Sequence, residues 1–502
     1  MSFAPEEPST LTVTGPPAEP PASPVVSKRS PGPRVIAAVA VVAVLAAVAS
    51  VAGAATFDSA PQVPDRWDPR IVRIADFVAG ARHLDFKHPV RVYFLSGAEY
   101  TRAINGAPQG TRTAADRSDE RRSTEFNRAI GFVEGAPDLA GAQDSLADSG
   151  TLAYYDIEKK VVNVRGTALS ANTRVTLAHE LTHALQDQYF DLDIGSSTTT
   201  SEQDTALRTI VEGDAMTVED LYIAQLSDAD RAAYEKEYGT ASDQATSDLA
   251  EVATPLQASQ AIPYAIGRPY VAWVETGSQA EPNPARLDDV MAHPPKDTAA
   301  TFNPIEASAH RVRVKTPTAP SDVYLTDQIG AYSLFIMLSD RIDPVVAMDA
   351  VDGWRGDSFV AAERSVRGRS TMCVTADFAM ASDRDATELD AALGAWAEVM
   401  PAEAGIGHSA TGRAVTLRTC DPGPKATARG PIGKSSDALV YPSNRIDIAA
   451  VLAQEGVAPK LAWCLANRTV RQLTPGELSG SDVTPQRQTE IRDLIAAAHD
   501  VC

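Results

Sequence analysis

An α+β fold, mainly helical with a small β-sheet and preceded by one transmembrane helix, is what this sequence of 502 residues predicts. Three observations lead there. Apolar residues make up 44% and charged residues 22%, the balance of a chain that can bury a sizeable core. Helical patterns outnumber the few short β-rich runs. Near the N-terminus, no residue between Val35 and Ala55 carries a charge.

Residues 1–34 are rich in Pro, Ser and small polar side chains. They lack the apolar surface that offsets chain entropy, so a disordered tail is expected. Residues 35–56 follow as the transmembrane helix, since the uncharged run is long enough to span a bilayer. Lys28, Arg29 and Arg34 precede it and place the tail in the cytoplasm. Ala52-Gly53-Ala54 resembles a signal-peptide cleavage site, but the apolar run and its leader are both too long for one. Either reading exports the rest of the chain.

The exported part divides into a main domain, residues 57–432, and a small helical unit, residues 433–502. The Pro/Gly-rich stretch Asp421–Gly433 separates them. In the main domain, Arg70–Ala81 reads as a helix and Val90–Leu95 as a strand. Residues 106–150 are polar and show no clear period. A hairpin follows, with arms Leu152–Tyr155 and Val161–Val164 around the turn Asp156–Lys160; its second arm is a candidate edge for a peptide to pair with. Ser170 or Asn172 caps a helix that runs to about Tyr189. After the loop Ser196–Ser201, a second helix covers Asp204–Gln225. Residues 226–260 and Ile262–Glu275 read as further helices, and Pro294-Pro295 breaks the chain. Asp327–Leu338, Pro344–Val351 and Ala386–Val399 also read as helices. Thr371–Phe378 and Ala414–Thr419 read as strands, and Gly353-Trp354 with Gly356 as a turn. Thr484-Pro485 starts the last helix.

All four cysteines lie beyond the apolar run. An even count in an exported region implies two disulfides. Cys373 and Cys420 sit on the two expected strands and are paired on that ground; Cys464 and Cys502 pair by elimination. No C-x-x-C spacing is present, which argues against a cysteine zinc site. The net charge of −21 argues against a nucleic-acid partner, because phosphate binding needs clustered Lys and Arg.

Chemistry concentrates on the helix that starts near Ser170. His179, Glu180 and His183 form an H-E-x-x-H pattern. Residues four apart share a helix face, so two imidazoles reach one ion, and their nitrogens suit Zn2+. Glu180, one position on, reaches a metal-bound water without ligating the metal. Catalytic zinc keeps three protein ligands and an open position. Glu212, between Val211 and Gly213 on the next helix, is the best third ligand, with Asp214 as the fallback.

Residues 179–188 read HELTHALQDQ and residues 211–215 read VEGDA. With Pro263–Gly267, Pro294–Thr298 and Gly353–Asp357, they make the chain resemble gluzincin-type metallopeptidases, and more closely a group of bacterial membrane-linked peptidases. The resemblance spans about residues 90–420. It implies a zincin-like domain in which His179, His183 and Glu212 are metal ligands and Glu180 is the general base. The implied reaction is hydrolysis of a peptide or protein substrate outside the membrane. One position departs from the thermolysin-like pattern: Met216 stands where an Asp would support a ligand His, leaving Asp214 or Asp187 to substitute. Tyr264, His293 and Tyr332 are the candidate oxyanion donors. The competing expectation is a catalytically silent, exported scaffold that keeps the peptidase-like fold.

Overall fold

The computed structural model describes residues 63–104, 113–148, 151–192, 200–277, 283–319, 322–366, 368–480, 486, 487, 489–491, 493 and 502. The tail and transmembrane helix expected over residues 1–56, and the expected start of the last helix at Thr484, lie outside them. Among the described residues no helix is long and apolar enough to cross a membrane.

The chain is mixed, mainly helical, with two small sheets. The first half runs α1 (Val72–Arg82), β1 (Arg91–Leu95), α2 (Gly97–Ile104), α3 (Ala114–Ala129), α4 (Leu139–Asp148), β2 (Ala153–Asp156), β3 (Val161–Arg165), α5 (Ala171–Phe190), α6 (Ser201–Ala224), α7 (Asp228–Asp248), α8 (Thr254–Thr276) and α9 (Pro284–Ala292). The second half runs α10 (Ala299–Phe302), β4 (Val323–Asp327), α11 (Gly330–Ser339), α12 (Pro344–Asp352), β5 (Trp354–Val366), β6 (Arg369–Met380), α13 (Asp383–Val399), β7 (Gly407–Thr411), β8 (Ala414–Cys420), α14 (Ser435–Ala438), α15 (Val440–Gln454), α16 (Pro459–Val470) and α17 (Pro475–Leu478).

The smaller sheet has the order β1-β3-β2. β3 pairs in parallel with β1 and antiparallel with β2, Tyr155 standing opposite Val162. The arm expected to offer a peptide-binding edge is therefore the central strand, and β1 and β2 are the edges. The run Val-Val-Asn-Val, buried from Val162 to Val164, fits a strand covered on both sides. α1 and α5 pack over this sheet around Ile74, Val78, Val164, Leu177 and Leu181.

The larger sheet has the order β4-β5-β6-β8-β7. It shares the main core with α8, α11, α12, α13 and α15 through Phe335, Trp354, Phe378, Trp396 and Ile446. Trp354 and Gly356, expected to mark a turn, open the long strand β5 through a register shift against β6. Asp327, expected at a helix start, ends β4, and α11 begins at Gly330. Cys373 and Cys420 lie opposite each other on β6 and β8 and are bonded. Cys464 on α16 is bonded to Cys502.

α8 carries Pro263 and Pro269 in its interior and continues through both. Proline has no N–H to donate to the carbonyl four residues back. For Pro269 that carbonyl is Ala265, and Ser443 Oγ on α15 donates to it instead at 2.7 Å. The helices beyond the Asp421–Gly433 break thus complete a backbone bond of α8.

α6 and α8 meet backbone to backbone. A Cβ on Gly213 would stand 2.2 Å from Gly267 C and O, and one on Gly267 would stand 2.3 Å from Thr209 O. Only glycine permits that approach. At its N-terminal end, α6 is tied by Glu202, which accepts from Thr298 N at 3.0 Å and Thr298 Oγ at 2.7 Å. Asp357 accepts from Ile329 N, Gly330 N and Trp354 Nε1, holding the start of α11 to β5. The Pro294–Thr298 and Gly353–Asp357 motifs are braces of this core.

Gly213→Ala should cost about 3 kcal/mol, because both colliding atoms are backbone. Gly239→Ala, on α7 with nothing within 4 Å, should gain about 0.5–1 kcal/mol. Urea unfolding of the two variants checks the contrast; equal stabilities would refute it. Burial raises the Glu202 carboxyl to about 8 from an ordinary 4.5, although the Thr298 bonds pull it down. The folded chain therefore holds a proton that the unfolded chain releases between those values, and stability falls as pH rises through that window. Melting temperatures between pH 5 and 8 should decline less steeply for Glu202→Gln than for wild type; parallel curves would count against this account.

Candidate metal centre

Ser170 caps α5, accepting from Thr173 N, and the helix is buried continuously from Val175 to Asp187 except at its margins with solvent beyond. His179 and His183, one turn apart, present their rings with centroids 4.7 Å apart. α6 begins with a capping box between Thr200 and Gln203, and packs against α5. Its Glu212 is fully buried. Glu212 Oε2 lies 3.3 Å from His179 Nε2 and 3.4 Å from His183 Nε2. One ligand atom from each residue falls within 4.8 Å of the other two, the one such cluster among the described residues.

The residues fit a metal. Two nitrogens and one carboxylate oxygen are a zinc-type donor set. His183 Nε2 and Glu180 Oε1 are buried and have no hydrogen-bond partner, a costly state for polar atoms unless something else binds them. Glu180 is also buried, and its Oε2 accepts from Tyr155 N of β2 at 2.7 Å. Burial raises its carboxyl to about 8, against the lowering pull of His179 and the Tyr155 bond. For His179, burial opposes protonation, but the bonds to Glu212 and Glu219 outweigh it and raise the imidazole well above its usual range. Burial likewise opposes charge on Glu212, yet the flanking imidazoles hold its carboxyl low.

Each ligand has a supporting partner. His179 Nδ1 lies 3.1 Å from Glu219 Oε2. His183 Nδ1 lies 3.0 Å from Gln186 Oε1, and Gln186 Nε2 donates to Asp214 Oδ2 and to Val211 O. Asp214 is held by Arg82 Nε at 2.8 Å, and Arg82 also reaches Asp288. Asp214, the fallback ligand, thus braces Gln186 and stands outside the ligand cluster. Asp187 accepts from the Tyr155 hydroxyl, Lys160 Nζ and Leu192 N, locking α5 to the hairpin without touching either imidazole. Glu219 takes the supporting role expected of those two aspartates.

Of the candidate oxyanion donors, only Tyr264 meets the centre. Its hydroxyl donates to Glu212 Oε1 at 2.5 Å. Burial and the neighbouring Glu212 raise its phenol well above 10, so it stays protonated. Tyr332 is engaged with the Thr209 and Thr301 hydroxyls. His293 is exposed beside Asp289. Sequence reasoning missed Gln186, Glu219 and Arg208. The last, four residues before Glu212, brings its Nε to 3.7 Å from Glu212 Oε1. Helical spacing was the available signal: Gln186 is three residues after His183, and Glu219 two turns after Glu212.

If the cluster holds a metal ion such as zinc, Glu219→Ala and Gln186→Leu should each weaken its binding by about 10–100-fold, the usual effect of removing a ligand's supporting partner. Asp220→Ala, beside Glu219 but paired with Arg268 at the surface, should leave it unchanged. Competition with a chromophoric chelator reads both, and equal affinities across the three variants would contradict the assigned roles.

No family model, no curated protein and no solved structure matches the chain, so these roles stand on its own geometry.

Proposed function

We propose that the chain is a membrane-anchored, extracytoplasmic zinc metallopeptidase that hydrolyses peptide bonds in a peptide or protein substrate. The observation that carries this reading is a buried carboxylate with one unpartnered oxygen, Glu180 Oε1, beside a His179–His183–Glu212 cluster of metal-ligating type. A zinc ion held by those three residues would polarise the scissile carbonyl and acidify a water.

Glu180 accepts the proton of the attacking water and delivers it to the leaving amine. Burial raises that carboxyl above its ordinary value, which makes it a readier proton acceptor than an exposed glutamate. Tyr155 N fixes one oxygen of Glu180 and leaves the other for the water. Glu219 and Gln186 hold the Nδ1 sides of His179 and His183, which would leave both Nε2 atoms to a metal. Tyr264 occupies Oε1 of Glu212, so Oε2 would be the oxygen offered to a metal. Disulfides at Cys373–Cys420 and Cys464–Cys502 agree with an oxidising compartment outside the cytoplasm, and the uncharged run over residues 35–56 supplies the anchor.

The full chain, loaded with zinc, should cleave members of a peptide library. Glu180→Gln should keep the zinc and lose about 10²–10⁴-fold in rate. Equal, negligible cleavage by both metal-loaded proteins would favour the silent scaffold instead.

A further inference from the structure

Arg208 projects from α6 one turn before Glu212, and its partly buried guanidinium is incompletely satisfied. Its side chain is 23% exposed. Nε is buried without a hydrogen bond. Nη2 makes one long bond, 3.4 Å, to the Tyr264 hydroxyl. Among the described residues no other hydrogen bond is made by this side chain. Removing a cation from water is expensive unless its donors are filled, and Glu212 at 3.7 Å must share its charge with two imidazoles. The unfilled donors call for an anionic or strongly polarised oxygen.

Exposure shows where such an oxygen would arrive. The three ligand side chains are 0–3% exposed, whereas Arg208 and Glu219 are 23% and 27% exposed. Of the charged groups around the centre, these two reach solvent. Glu219 is an acid bound to His179 and repels negative charge. Tyr264 has its proton committed to Glu212, and Tyr332 and His293 lie elsewhere.

We propose that Arg208 is a further catalytic residue of the reaction proposed above, its guanidinium donating to the oxygen that becomes anionic on the scissile carbonyl. The inference rests on the metallopeptidase reading. As water attacks, its oxygen bonds to the carbonyl carbon, its proton passes to Glu180, and the carbonyl π pair moves onto oxygen. Collapse re-forms the C=O bond, breaks the C–N bond and sends the proton from Glu180 to the departing amine. Negative charge on that oxygen exists only between the two steps, so a donor aimed at it acts on kcat more than on KM.

The test uses the zinc-loaded full chain, its fastest-cleaved library peptide, and a phosphinic pseudopeptide of the same sequence as a tetrahedral anionic probe. Arg208→Gln should lower kcat by about 10²–10³-fold with KM nearly unchanged. Calorimetry should show the phosphinic probe weakened by a similar factor, with zinc affinity intact. Arg208→Lys should recover part of the loss, and free guanidinium should partly rescue Arg208→Ala. A raised KM with unchanged kcat would make Arg208 a ground-state anchor for a substrate carboxylate and overturn the proposal. So would a loss of zinc affinity, which would make it a support for Glu212, or an undiminished affinity for the phosphinic probe. Wild type that holds zinc and cleaves nothing would overturn the metallopeptidase reading and this inference with it, whereas cleavage indifferent to Arg208 overturns only the inference.

Discussion

Glu212 is a carboxylate with no access to water, and the fold around it is arranged to match its charge. A buried carboxylate is tolerated only when both oxygens are satisfied. Oε2 faces His179 and His183 from α5, while Oε1 takes the Tyr264 proton from α8 and the nearby Arg208 from its own helix. Three helices must therefore hold a fixed relative register. The contact that sets it for α6 and α8 is the glycine pair Gly213–Gly267, one residue after Glu212 and three after Tyr264. A side chain at either position would separate the two helices and with them the carboxylate and its phenol. Val-Glu-Gly and Tyr-Ala-Ile-Gly are thus one device written on two helices.

The same tie-downs continue outward. Gln186, Asp214, Arg82 and Asp288 form a chain of hydrogen bonds linking α5, α6, α1 and α9. At the far end of α6, Glu202 joins Thr298 and, through Thr298 Oγ, the backbone of α11 at Ala331. α6 is anchored at its start by one acid, crossed in its middle by α8, and committed at Glu212 and Glu219 to the ligand histidines. A helix so restrained can hold ligand atoms to fractions of an ångström, which is what a preformed metal site needs.

How much of this was legible in the sequence depends on how local the signal was. The H-E-x-x-H spacing is contained within one turn of helix, so His179, Glu180 and His183 could be read directly. Ser170 as a cap and the hairpin before it are equally local. Glu212 was recognised because an acid flanked by Val211 and Gly213 is out of place on a solvated face. Its supporting partners were harder. Gln186 looks like an ordinary polar residue, and helical spacing puts Glu219 on the Glu212 face without showing that it meets His179. Strand order was invisible, because β1 and β3 are distant in the chain and parallel pairing leaves no turn between them. β5 was misread because it opens with Gly353 and Gly356 around Trp354, residues that signal a turn. The first turns of α8 were joined to α7 in the expected helix 226–260, although α8 starts at Thr254, and the partner that allows Pro269, Ser443, comes from a helix far along the chain.

Under the proposed function, Glu180 has a use beyond holding the fold. Its one satisfied oxygen would dock α5 to β2 equally well as the carbonyl of a glutamine, so the docking bond alone does not call for an acid. The chain keeps the carboxylate, and burial has moved its titration toward neutrality. It keeps it beside an imidazole whose outer nitrogen is held by another acid, Glu219, the arrangement that strengthens a histidine as a metal ligand. Both choices fit the proposed metal site beside a proton acceptor.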